Sequence, residues 1–222
     1  MKKYLVMYFD APMQSWGYQS KFDQRTSLSH PTKSGVTGLI CAAIGIPKND
    51  DDALVEIASL DMIVYVLKYP NRISDFHTVG GGFDKNKNPQ NIAKTANGKP
   101  GNTVVSRREY LLDAKFAIVI SGDELLINKI KFALQNPVWG VWFGRKSCVP
   151  AEPIFRNIFD SLNDAETFIK TLSENKNEVS KIRKIETAKS FDDATGKIMD
   201  IPKSFANDKR EYSVRHTVDS NL

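Results

Sequence analysis

The residues here with chemistry to offer are three histidines, two cysteines and a scatter of arginines and lysines. His30, His77 and His216 stand far apart, with no cysteine or carboxylate at metal-ligand spacing. Zinc sites need close-spaced ligands, so no metal is expected. Asp50-Asp51-Asp52 reads as an acidic helix start, favoured by the helix dipole without a metal. Gly80-Gly81-Gly82 lacks the Gly-Lys-Ser/Thr ending of a phosphate loop and the spacing of a dinucleotide fingerprint. Ser106 has no nucleophile elbow around it. No catalytic residue and no cofactor is therefore expected. One enzymatic alternative stays open. A metal-independent endoribonuclease needs only a base, an acid and a cation around one phosphate. His77, Tyr110 and Lys115 could meet where a long insertion rejoins the chain. Their loose spacing fits an ordering, a packing and a capping residue better.

The cations suit binding. Arg107 and Arg108 are adjacent, so on a strand they point to opposite faces and only one meets a given surface. Arg145 and Lys146 follow Gly144 at an apolar-to-turn transition, and Lys33 stands at the mouth of a helix. Guanidinium forks, ammonium charges and exposed N–H groups are what phosphate contacts require. Lys33 has two readings, a charged entry residue of a core helix or part of an anion site at the helix start, and the first is the simpler. Trp16, Trp139, Trp142 and Phe83 are candidate stacking residues, though most tryptophans are core.

These residues must be positioned by a chain of 222 residues, enough for one large domain or two small ones. Hydrophobic content of 41% and charged content of 26% are those of a globular protein. The net charge of +5 permits a polyanion partner without demanding one. Its distribution is more telling: Pro70 to Tyr110 carries seven basic residues against three acidic ones. No apolar run is long enough to span a bilayer, and MKKYLVMYFDAP lacks the features of a secretory leader. With two cysteines and no disulfide framework, a cytoplasmic protein without a membrane partner is expected.

The central element is Pro31 to Ile46, PTKSGVTGLICAAIGI. Ser34 is a candidate cap; Val36, Leu39, Ile40, Ala43 and Ile44 form an apolar helix face; Gly45 and Pro47 end the helix. Cys41 reads as a buried thiol. Lys3 to Phe9 is an alternating first strand, followed by a turn through Pro12 and Gly17. Asp50 or Asp51 caps a short helix to Ser59, and Met62 to Tyr69 is a strand. Asn71 to Val105 is a long basic segment, too long for an ordinary loop, with Asp84 to Gly98 expected to order only on assembly. Thr103 to Leu112 returns as a strand, Lys115 to Ile120 is another, and Asp123 caps a helix ending at Asn136-Pro137. Val138 to Phe143 is a short apolar strand. Helix Asp164 to Leu172 follows, then strands Val179 to Thr187 and Glu211 to Val218, with loops between them around Asp192 to Gly196 and Pro202.

Without the insertion, the order to about residue 145 is βαββαβ. The expected class is α+β: a ferredoxin-like core with a long basic β-hairpin inserted at about 71–105, and a smaller C-terminal β-rich domain over 146–222. One face of such a sheet is covered by two helices and the other is free for a partner or a second sheet. The lysine/arginine–glycine–aromatic signature of ordinary RNA-recognition modules is absent.

YLVMYFDAPMQSWG, HPTKSGVTGLICAAIGI, HTVGGG, SRREYLLDAKFAIVI, PVWGVWFGRKSCVPAEPIF and, more weakly, REYSVRHTV occur in this order along nearly the whole chain. Together they resemble the CasD family of CRISPR Cascade subunits. The resemblance implies a non-catalytic, RNA-binding ribonucleoprotein subunit that caps the 5′ handle of the guide RNA (crRNA). It also implies contacts with the backbone and large subunits, and with target DNA in the assembled complex, where base pairing reads the target. The insertion would be a thumb over the RNA. Lys33, Arg107, Arg108, Arg145, Lys146, Gly81, Gly82 and Trp16 are the residues expected at the RNA. A related branch cleaves repeat RNA, but its tyrosine, lysine and histidine set does not map clearly onto this chain.

Overall fold

The computed structural model describes residues 1–18, 20, 23–79, 103–176 and 181–222. Gly81, Gly82, Phe83 and the Asp84 to Gly98 stretch lie outside the described residues.

The first strand, β1 (Lys2–Asp10), carries the run LVMYF. Leu5, Met7 and Phe9 enter one apolar cluster, and Val6 and Tyr8 enter another. A run buried on both faces is continuous rather than alternating, so β1 is a central strand. Its neighbours are β9 (Lys115–Asp123) and β10 (Phe155–Phe159), both antiparallel. The remaining sheet strands are β6 (Asp61–Lys68), β11 (Arg183–Thr187), β12 (Gly196–Ser204) and β13 (Glu211–Asn221). All seven form one antiparallel sheet in the order β10-β1-β9-β6-β11-β13-β12.

Helices α1 (Lys33–Ile44), α2 (Asp51–Ser59) and α3 (Glu124–Gln135) cover the face carrying Leu5 and Met7. The opposite face, expected to be free, is covered by α4 (Leu162–Asn175). Ala165 and Ile169 pack on Val6, Tyr8 and Tyr65, and the Tyr65 hydroxyl donates to Glu166 Oε1 at 2.8 Å. A partner cannot use this face as RNA-recognition modules do. Among the described residues after Gly144 the expected second sheet is not seen: β11 pairs with β6, so the late strands extend the first sheet. Two further expectations change. Val138 to Phe143 is irregular, and the edge beside β1 is taken by β10. Pro202 lies inside β12, not in a loop; an edge strand tolerates the missing N–H.

Outside the sheet lie the short β2 (Met13–Gln14), β3 (Trp16–Gly17), β4 (Gln24–Arg25) and β5 (Ser27–Leu28), and the long β7 (Asn71–Val79) and β8 (Val104–Leu112). β7 and β8 pair antiparallel from Asn71↔Leu112 to Val79↔Val104. The base of β8 is flanked by β2, and its middle by β4 in a parallel pairing.

The organising helix is capped by Thr32 rather than Ser34; its hydroxyl accepts from the Gly35 N–H at 3.1 Å. Gly45 ends it in the left-handed region at φ 87°, where glycine has no Cβ penalty. The Cys41 thiol is buried, and burial pushes its pKa up to about 11, so it stays an inert thiol at neutral pH.

Candidate nucleic-acid interface

After α3 the chain passes irregularly from Pro137 to Ile154, yet backbone bonds fix it. Val138 N donates to Ala43 O and Trp139 N to Ala42 O, tying it to α1. Ser15 N donates to Phe143 O at 3.0 Å, and Phe143 N to Cys148 O at 2.9 Å. The buried Phe143 ring stacks on Phe9 with centroids 4.5 Å apart. Gly144 then turns at φ 96°, and a Cβ there would fall 1.7 Å from Ser15 O. Only glycine allows this approach. The turn delivers Arg145, whose guanidinium lies 4.5 Å from the Tyr110 ring centroid and donates from Nη2 to Arg25 O at 3.0 Å. Lys146 is exposed, its Nζ 5.7 Å from the Trp142 ring centroid.

On β8 the two arginines separate as a strand requires. Arg107 is exposed, opposite Phe76 on β7. Arg108 is half-buried, opposite Asp75 on β7 and Arg25 on β4, and its Nε donates to Ser106 Oγ at 3.1 Å. Arg108, Arg145, Arg25 and Arg210 line one open cleft of about 580 Å³. Its other walls include Thr32, Ser34 and Gly35 at the start of α1, and Tyr212 of β13. Among the described residues no carboxylate lines it. Four arginines around one open space make it positive, and guanidinium forks fit phosphate oxygens.

Two expected contacts turn inward instead. Lys33 is buried, its Nζ donating to Leu60 O at 2.7 Å, and burial lowers its pKa. Its backbone N–H donates to Asp200 Oδ2 at 2.8 Å, so the helix start already holds an anion, the chain's own carboxylate. Arg215 grips that carboxylate through Nε at 2.9 Å and Nη2 at 2.7 Å. Trp16 is also core: its ring stacks on Phe9 and its Nε1 donates to Gln14 Oε1 at 3.1 Å. It braces the cleft from below, where a Cβ on Gly35 would meet its ring at 2.8 Å. Arg25 and Arg210 are not among the residues that the sequence points to. Arg210 opens the REYSVRHTV motif, a usable signal, whereas nothing local distinguishes Arg25 within its polar segment.

The ribonuclease candidates do not converge. His77 faces Ser106 across the ladder, four residues from Tyr110, or about 13 Å of strand. His77 Nδ1 lies 3.5 Å from Asp75, Tyr110 is buried beneath Arg145, and Lys115 pairs with Asp10 at 3.1 Å.

A family profile described as CRISPR-associated protein (Cas5) matches residues 4–218. Over 167 residues the chain is 28% identical to a protein of Escherichia coli (strain K12) described as CRISPR system Cascade subunit CasD, covering 70% of each. Among solved structures, a chain of a CRISPR RNA-guided surveillance complex superposes with a TM-score of 0.81 at 27% identity, covering 99% of this chain and 90% of that one. A second, described as a Cas protein, gives a TM-score of 0.68 at 25% identity, with 99% and 94% covered.

Proposed function

The chain belongs to the Cas5 family of CRISPR-associated proteins, and on that premise we propose that it is a non-catalytic, guide-RNA-binding subunit of a cytoplasmic Cascade surveillance complex. It grips the 5′ handle of the guide RNA and helps seat the backbone and large subunits. Target DNA is met only in the assembled complex, where base pairing reads it. The observation that carries this reading is the cleft of Arg25, Arg108, Arg145 and Arg210, open to solvent and with no carboxylate among the described residues that line it. Such a site holds phosphates without reading sequence. Arg107 and Lys146, exposed nearby in the chain, add to the attraction at longer range.

The β7–β8 hairpin acts as the thumb over the RNA. The series β1–α1–β6–β9–α3–β10 is read as the ferredoxin-like core; its strand order β10-β1-β9-β6 and antiparallel pairing support this. The C-terminal β-rich part supplies Arg210 and Tyr212 to the cleft. The separation of His77 from Tyr110 speaks against cleavage by those residues.

The test is incubation of the purified protein with labelled repeat RNA, uncut and pre-cut, with and without a divalent metal. Salt-dependent binding to the 5′ handle with no cleavage is expected. A single defined cut, or no salt-dependent binding to the handle, overturns the proposal.

A further inference from the structure

Arg210 and Tyr212 reach the cleft where β13 begins, and the strand that leads to them is irregular. β12 lies at the edge of the sheet, so a ladder holds it on one side only. Its pairing with β13 shifts twice, between Met199 and Ile201 and between Pro202 and Ser204. Met199 faces Val214 and Ile201 faces Ser213, which leaves Asp200 as an extra residue of β12. Extra residues of this kind bend a strand and increase its twist. The ladder of a bent edge hairpin does not by itself fix where the far end stands.

Asp200 supplies a fixed point. Its side chain is buried, and its Oδ2 accepts from the Lys33 N–H at 2.8 Å and from Arg215 Nη2 at 2.7 Å, while Oδ1 accepts from Arg215 Nε at 2.9 Å. Lys33 is the first residue of α1 and stands between Thr32 and Ser34, which both line the cleft. One carboxylate therefore joins the α1 wall of the cleft to the two strands that lead to Arg210. Apolar residues of similar volume often hold such a place as firmly as a buried ion pair, so what the pair adds is a fixed position rather than stability. Resting on the RNA-binding reading above, we propose that Asp200 is a positioning residue of the cleft. Its bond to the Lys33 N–H sets where Arg210 stands relative to Arg108 and Arg145, so that the guanidiniums hold the RNA phosphates together. Asp200 touches no RNA in this arrangement and acts through Arg210.

The experiment deletes that bond from the α1 side. Lys33→Pro removes the N–H, and proline is favoured at the first position of a helix. Thr32, at φ −82° and ψ 152°, already has the extended backbone that a residue before proline adopts. Lys33→Met loses the ammonium but keeps the N–H, and serves as the reference. Handle RNA is titrated against the full-length variants by fluorescence anisotropy at several salt concentrations, and urea unfolding checks that each is folded. Lys33→Pro is expected to bind about 5- to 20-fold more weakly than Lys33→Met, with a salt slope lower by about one, the signature also expected of Arg210→Ala. Combined with Arg210→Ala it is expected to add nothing, whereas combined with Arg108→Ala, on β8, the two losses multiply. Asp200→Asn, made from the other side of the bond, is expected to repeat the pattern. A folded Lys33→Pro variant that binds like Lys33→Met overturns the proposal. So do losses that multiply with Arg210→Ala, or unfolding of both Lys33→Pro and Asp200→Asn, and each of these results leaves the RNA-binding reading in place. Failure of the unmodified protein to bind the handle removes both.

Discussion

At the scale of single residues, the lesson is that a cation's neighbours decide its task. Lys33 and Arg108 read alike in the sequence, but Lys33 donates inward to Leu60 O while Arg108 borders an open cleft. Arg108→Ala is expected to weaken handle RNA about 5- to 20-fold and to lower the slope of log affinity against log salt by about one, as loss of a phosphate contact does. Lys33→Met, which keeps the buried stem and removes the charge, is expected to leave both within error. Arg107→Ala should have a smaller effect than Arg108→Ala. A binding series at several salt concentrations checks all three, and an equal loss for Lys33→Met would contradict the inward placement. Cys41, buried with a raised pKa, gives no reason to expect thiol chemistry beside the cleft.

At the scale of elements, the site depends on a segment with no regular structure. The run from Val138 to Cys148 is anchored by backbone bonds to α1 and to Ser15, and it turns at Gly144 in the left-handed region. Any side chain there meets both a left-handed φ and the Ser15 carbonyl. Gly144→Ala is therefore expected to cost at least about 3 kcal/mol of stability, read from urea unfolding. A cost under about 1 kcal/mol would show that the turn can relax. The fold-scale role of α1 is similar. Its first turn borders the arginine cleft through Ser34 and Gly35 and is closed by Thr32 and Asp200, and its apolar face fills the core. Glycines that would weaken an isolated helix are tolerated because the sheet and two other helices hold this one.

At the scale of the whole molecule, residues far apart in the chain meet around His30. It is buried, and neither ring nitrogen has a partner among the described residues. Burial, then Arg183 of β11 and Arg215 of β13, lower its pKa from 6.5 to about 4, against smaller opposing effects from Asp200 and Asp219. The folded state thus resists protonation while the unfolded chain accepts it near 6.5. Stability from this group is full above about pH 6.5 and falls as pH drops toward 4. Between pH 7 and pH 5 the loss is expected to be about 2 kcal/mol. His30→Gln should flatten that part of the profile, measured by urea unfolding at a series of pH values. An unchanged profile in the variant would assign the pH dependence to other groups. The pair of Arg215 with Asp200 lies in the same buried region and joins the last strands to the start of α1. The C-terminal strands are consequently part of the site's frame.

The sequence by itself determined what local chemistry can specify. Asp50 and Asp123 cap their helices, Gly45 closes α1, Cys41 is buried, and β1, β6, β9 and β13 lie where their apolar and β-branched runs are. The alternation of Arg107 and Arg108 followed from strand geometry, and the family from motifs spread along the chain. Tertiary structure decided the rest. Only folding could show that α4 closes the second face, that the late strands join β6, and that β10 replaces Val138 to Phe143 beside β1. Only folding could bury Lys33 and Trp16 and gather Arg25, Arg108, Arg145 and Arg210. The physical reason is range. Caps, turns and side-chain alternation depend on neighbours a few residues away and are written locally. Burial and charge clustering depend on which distant segments pack together, and no short window of the chain contains that information.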